Sequence, residues 1–133
     1  MGLNNQVPAR DAGYQNIQYL YKKITYADDG KTVDVGTLPE GALILKPLSG
    51  VHVQVAFNGG TTNTLDIGPS TDSGTDLWAT VLALGTIGFV PLDEVVSNIV
   101  GSGQGKVQAK VVSTASASAG IGHIVIAFLN PVN

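Results

Sequence analysis

Residues 48–68 read LSGVHVQVAFNGGTTNTLDIG. Val51, Val53, Val55 and Phe57 share one parity, with His52, Gln54 and Ala56 between them. Successive side chains of a strand point to opposite faces, so this alternation predicts a strand with a valine-rich face on a core and its other face near solvent. Asn58-Gly59-Gly60 follows, a set of residues that accept positive φ, and the chain resumes with Leu65 and Ile67 on a single parity. The stretch predicts a β-hairpin.

The same pattern repeats on both sides. Residues 1–13 lack periodicity and predict an extended N-terminal arm carrying Arg10, ordered only against a partner. Residues 14–26 alternate and hold all four tyrosines: Tyr14, Tyr19, Tyr21 and Tyr26. Such a cluster suits either a strand at a wet interface or ordinary sheet packing. Asp28-Asp29-Gly30 is a turn, residues 31–35 a short strand, residues 37–41 a second turn, and residues 42–45 a short apolar strand before Pro47. After the polar loop 69–76, residues 77–84 (LWATVLAL) fit a short helix or a buried strand equally. Residues 86–92 and 106–114 predict strands, with 101–105 as a hairpin connection before the second. Residues 121–130 predict a long strand at the centre of its sheet. About eight short strands separated by regular turn signals, with no long helical pattern, indicate an all-β sandwich or barrel.

A chain of 133 residues suits one domain, with residues 14–133 as its β body. Only 13% of residues are charged, about half the usual share, which implies surface covered by something other than water. The formal charge of −3 and the single adjacent basic pair, Lys22-Lys23, argue against nucleic acid. With no cysteine, disulfides, thiolate zinc sites and cysteine nucleophiles are excluded. The first residues do not form a secretory signal, and no apolar run reaches membrane-span length, so no membrane partner is expected.

No constellation points to catalysis or a cofactor. His52 and His123 are the two histidines, and their spacing does not define a metal site. Asp72 and Asp76 flank a loop that lacks the EF-hand order. Residues 101–106 (GSGQGK) have the wrong spacing for a phosphate loop and lead into a strand pattern. There is no G-x-S-x-G, and several carboxylates sit in turns, where they have a structural reason to be.

Several short pieces together resemble the small jelly-roll cement, or head-decoration, proteins of tailed bacteriophages. They are Leu38-Pro39-Glu40-Gly41-Ala42 with Ile44-Leu45, then Gly50-Val51 through Ala56-Phe57-Asn58-Gly59-Gly60, then Thr64-Leu65-Asp66-Ile67-Gly68. Ala119-Gly120 leading into Ile124-Val125-Ile126-Ala127-Phe128 completes the set. The resemblance covers residues 14–129. It implies a jelly-roll-type β-sandwich with antiparallel strands and a non-enzymatic role without cofactors. It also implies a homodimer or homotrimer, assembled in the bacterial cytoplasm, that sits on the outer capsid surface and clamps major capsid subunits of a tailed phage. Arg10, Tyr14, Tyr19, Tyr21 and Trp78 are the candidate interface residues. Trp78 lies among Leu77, Val81 and Leu82, which equally suits a core position. Two other readings remain open on the same architecture. One is a carbohydrate-binding or tail-associated receptor module using Trp78 with Tyr19 or Tyr21, and the other a cupin-type metalloenzyme.

Overall fold

The computed structural model describes residues 17–71, 75–94 and 99–130. The predicted arm, with Arg10, and Tyr14 lie outside them. Among the described residues nine strands form: β1 (Gln18–Thr25), β2 (Thr32–Thr37), β3 (Leu43–Ile44), β4 (Gly50–Val55), β5 (Asn63–Pro69), β6 (Ala79–Ala83), β7 (Gly88–Pro91), β8 (Lys106–Ser113) and β9 (Ile121–Leu129). They make two antiparallel sheets, one ordered β1-β9-β4-β7 with β3 also on β9, the other β2-β8-β5-β6. Setting aside the two-residue β3, successive strands cross from one sheet to the other at every step but β5 to β6, which is the jelly-roll order. The fold is the all-β sandwich that the turn-punctuated pattern predicts.

The inner faces close on one another. Ile24, Ile44, Val51, Val53, Ile124 and Ile126 come from the first sheet, and Leu65, Ile67, Leu82, Val107 and Val111 from the second. Each such side chain contributes about 1.5–3 kcal/mol by leaving water. The parities read from sequence in β4 and β5 are the parities observed, with one exception. A register shift between Val53 and Val55 against β9 turns Val55 outward, and Phe57 returns to the core. The ambiguous segment 77–84 is a strand, β6, and β9 lies inside its sheet between β1 and β4.

The predicted hairpin is not formed. β4 pairs with β7 and β9, whereas β5 pairs with β6 and β8, so residues 56–62 carry the chain from one sheet to the other. The turn residues serve that crossing. Asn58 Oδ1 accepts the N–H groups of Ser118 and Ala119 at 2.9 and 3.1 Å. Gly60, at φ 78°, passes so close to Thr114 that a Cβ would lie 2.4 Å from its hydroxyl oxygen. The loop before β8 is likewise no hairpin, since β7 and β8 occupy different sheets. It closes on itself, with Gln104 Oε1 accepting the Gly101 N–H at 3.0 Å.

β3 and β4 lie along the same side of β9, because Phe128 already has Gln18 of β1 on its other side and Ile44 on this one. The chain breaks between them in a one-turn 3-10 helix, Lys46–Leu48, with Pro47 in its first turn.

Candidate interaction face

The two outer faces differ in chemistry. On the four-stranded sheet, Thr32, Asp34, Lys106, Gln108, Lys110, Asp66 and Thr64 stand side by side across β2, β8 and β5. Gln108 donates to Asp34 Oδ1 at 2.9 Å, and the Lys106 ammonium lies 3.7 Å from Asp34 Oδ2. The amide hydrogen bond first, and the neighbouring ammonium after it, hold the Asp34 carboxyl below the ordinary aspartate range. This face is built for water.

The outer face of the five-stranded sheet is built otherwise. On β1 the outward parity presents Tyr19 and Tyr21, 68% and 52% exposed, with Ile17 just ahead of the strand. β9 contributes Val125 and His123, β4 contributes His52, and β7 contributes Phe89, 40% exposed. Ile87, just ahead of β7, is 68% exposed. Among the described residues no carboxylate stands on these outward positions of β1, β9, β4 and β7. A solvated sandwich face would alternate to polar residues here. Exposed apolar and aromatic groups gathered on one face mark an interaction surface.

Strand register places a polar thread inside this patch. Lys23 pairs with His123, His123 with His52, and His52 with Phe89, one row across four strands. His123 Nε2 lies 2.7 Å from Gln54 Oε1, an acceptor, so this nitrogen carries the proton. Nδ1 then accepts the Tyr21 hydroxyl at 2.5 Å, and the two rings stack with centroids 5.7 Å apart. The His52 ring turns the other way, 4.5 Å from the ring of Phe89. Among the described residues no three His, Asp or Glu side chains gather as a metal site would require.

Of the residues singled out in the sequence, Tyr19 and Tyr21 lie together on this face. Arg10 and Tyr14 fall outside the described residues. Trp78 does not reach the surface: at 1% exposure it is a core residue, with its backbone N–H donated to the Ile67 carbonyl of β5 at 3.0 Å. Its place as an interface or sugar platform is corrected accordingly. The sequence does not by itself gather His52, His123, Phe89 and Ile87 onto the face of the tyrosines, because which strands lie side by side is set by pairings far apart in the chain.

A shallow groove of about 290 Å³ at the edge of the second sheet, walled by threonines 61, 62, 64 and 86 and by Val81, holds no titratable side chain. It offers no group for acid–base chemistry.

Among solved structures, the chain is similar to one in the cyanophage Pam1 capsid asymmetric unit, with a TM-score of 0.66 and 20% identity over 87% of this chain and 86% of that one. No protein-family model and no curated protein matches it. At that identity the likeness is one of fold.

Proposed function

We propose that this chain is a structural virion protein, a cement or decoration protein that binds the outer surface of a tailed-phage capsid as a homo-oligomer and stabilises contacts between major capsid subunits. The observation that carries the reading is the jelly-roll likeness, over most of both chains, to a component of a phage capsid asymmetric unit. The two-faced sandwich supports it, because a chain that works by docking needs one adhesive face and one solvated face. A cysteine-free sequence suits a particle assembled in the bacterial cytoplasm. In this reading the protein is not an enzyme, needs no cofactor, and touches neither nucleic acid nor membrane.

Cementing works by mass action. A ligand that binds only the assembled shell stabilises it by RT ln(1 + [L]/Kd) at each site, and a shell repeats the site many times. The test is to mix the purified protein with expanded capsids lacking it, then measure co-sedimentation and the temperature of capsid disruption. Binding with a raised disruption temperature is expected. Failure to bind, or binding without that gain, overturns the reading. The carbohydrate-binding alternative loses its tryptophan platform to the core, which leaves only Tyr19 and Tyr21 for it.

A further inference from the structure

We infer that the outer face of the five-stranded sheet is an interface between two copies of this chain, closed while His52 and His123 are neutral and opened by acid. The inference deepens the proposed function, resting on its homo-oligomer, and supplies the surface and the regulation.

Ile17, Tyr19, Tyr21, Val55, Ile87 and Phe89 are all between about one-third and two-thirds exposed. With whole aromatic side chains worth about 150–250 Å², these six leave on the order of 500 Å² of apolar surface on one side of the molecule. Adding the imidazoles brings the patch toward the ~800 Å² that each partner contributes to a stable interface. A patch of this size is at the upper end of what a monomer leaves in water.

The face is also self-complementary. The row Lys23, His123, His52, Phe89 crosses β1, β9, β4 and β7 in that order. Its midpoint lies between β9 and β4, where the two histidines are direct cross-strand partners. A two-fold axis running along the strands over that midpoint exchanges left for right. β1 of one copy then faces β7 of the other, and the facing row reads Phe89, His52, His123, Lys23. Each Lys23 ammonium meets a Phe89 ring, a cation–π contact, and imidazoles meet imidazoles at the centre. The adjacent row, Tyr21, Val125, Gly50 and Pro91, sets Tyr21 over Pro91 in the same way. A patch that fits itself under a two-fold is the requirement for a closed isologous dimer, and aligned sheets pack face to face at about 10 Å.

Neutral His123 is fully paired, donating to Gln54 and accepting from Tyr21. The titratable groups around it are Tyr21 and Lys23 on β1 and His52 on β4, while β7 adds only Phe89. Among the described residues no carboxylate on the outward positions of these strands offsets added charge. Protonation lines up His52, His123 and Lys23 as three cations on neighbouring strands, and the two-fold doubles the number at the centre. Like charges opposite one another repel, and burying them in an interface adds a desolvation cost. Association therefore weakens as acid adds charge to the face.

The test is the mass of the full chain in solution by analytical ultracentrifugation at pH 8 and pH 5. At pH 8 the expected mass is two chains or a multiple of two, with a dissociation constant at least tenfold larger at pH 5. Tyr19→Glu, at a site exposed enough to spare the fold, gives a monomer at pH 8 with an unchanged circular-dichroism spectrum. His52→Gln with His123→Gln stays associated at pH 5. A monomeric or trimeric chain at pH 8 overturns the inference. So does an oligomer untouched by Tyr19→Glu, or a pH response that survives in the double glutamine variant. Capsid binding by the wild-type chain is scored separately. Failure there removes the cement reading and leaves the solution dimer standing, whereas a monomeric chain whose capsid binding is lost in Tyr19→Glu assigns the face to the capsid instead.

Discussion

The hydroxyl of Ser49 accepts the backbone N–H of Ala127 at 2.9 Å and donates to the carbonyl of Leu45 at 2.8 Å. This bridges the break where the chain beside β9 leaves the ladder between β3 and β4. Ser49 is wholly buried and Ala127 nearly so, so the side chain replaces a backbone partner that the 3-10 turn has carried away. Ser49→Ala strands the Ala127 N–H in the core. The expected cost is about 1–3 kcal/mol, read as a lower urea midpoint with an unchanged slope.

Gly120 precedes β9 at φ 152°, and a Cβ there would stand 2.6 Å from the ring of Phe57. That ring is the residue by which the sheet-crossing segment re-enters the core. Gly120→Ala therefore adds both backbone strain and overpacking, with an expected loss of about 2–4 kcal/mol in thermal or urea unfolding. Gly120→Ala combined with Phe57→Leu, which clears the ring, is expected to recover part of that loss.

How far the sequence discloses this molecule depends on the range over which each signal acts. Parity is local, so the inward valines of β4 and the apolar run of β9 are visible without a structure. Asn58-Gly59-Gly60 is also a local signal, but a tight hairpin and a crossing between sheets ask for the same residues. The turn is therefore legible and its destination is not. Among the described residues, β5 with β6 is the one case of a strand pairing with its successor in the chain. The candidate face shows the same division: Tyr19 and Tyr21 stand out as a cluster. The meeting of Tyr21 with His123 spans about a hundred residues and follows only from the β1–β9 register. Trp78 misleads for a related reason, since composition cannot say whether a lone tryptophan in an apolar run is platform or core.

Val81 on the edge strand β6 adopts φ 58°, in the left-handed region that β-branched residues avoid, and is 62% exposed. Thr80 and Val81 together stand opposite Asp66, a bulge, and Asp66 Oδ1 takes the Val81 N–H at 2.8 Å. The carboxylate holds a conformation the side chain disfavours, and the bulge blunts an otherwise open edge. Val81→Asn, which tolerates this region, is expected to raise stability by about 1 kcal/mol. Asp66→Ala is expected to lower it by a similar amount. Because both changes act on one bulge, the double variant departs from the sum of the two, measurable as a coupling in a double-mutant cycle.

Asp34 gives the solvated face a pH signature with a definite sign. Gln108 and Lys106 favour its ionised form, so its folded pKa lies below the unfolded value, which is about 3.9 for aspartate. The stabilisation is then complete above the unfolded value and is lost as pH falls through the folded one. Asp34→Asn removes this contribution, so its Tm declines less steeply than that of the wild type as pH is lowered from 5 to about 2. Gln108→Ala is expected to reproduce most of the flattening and Lys106→Gln less of it, since the amide hydrogen bond is the larger influence. The Lys106 part also shrinks in about 1 M salt, where charges this exposed are screened within about 3 Å, and the Gln108 part does not. A wild-type Tm that parallels that of Asp34→Asn across the whole acid range would show that the carboxylate contributes nothing there.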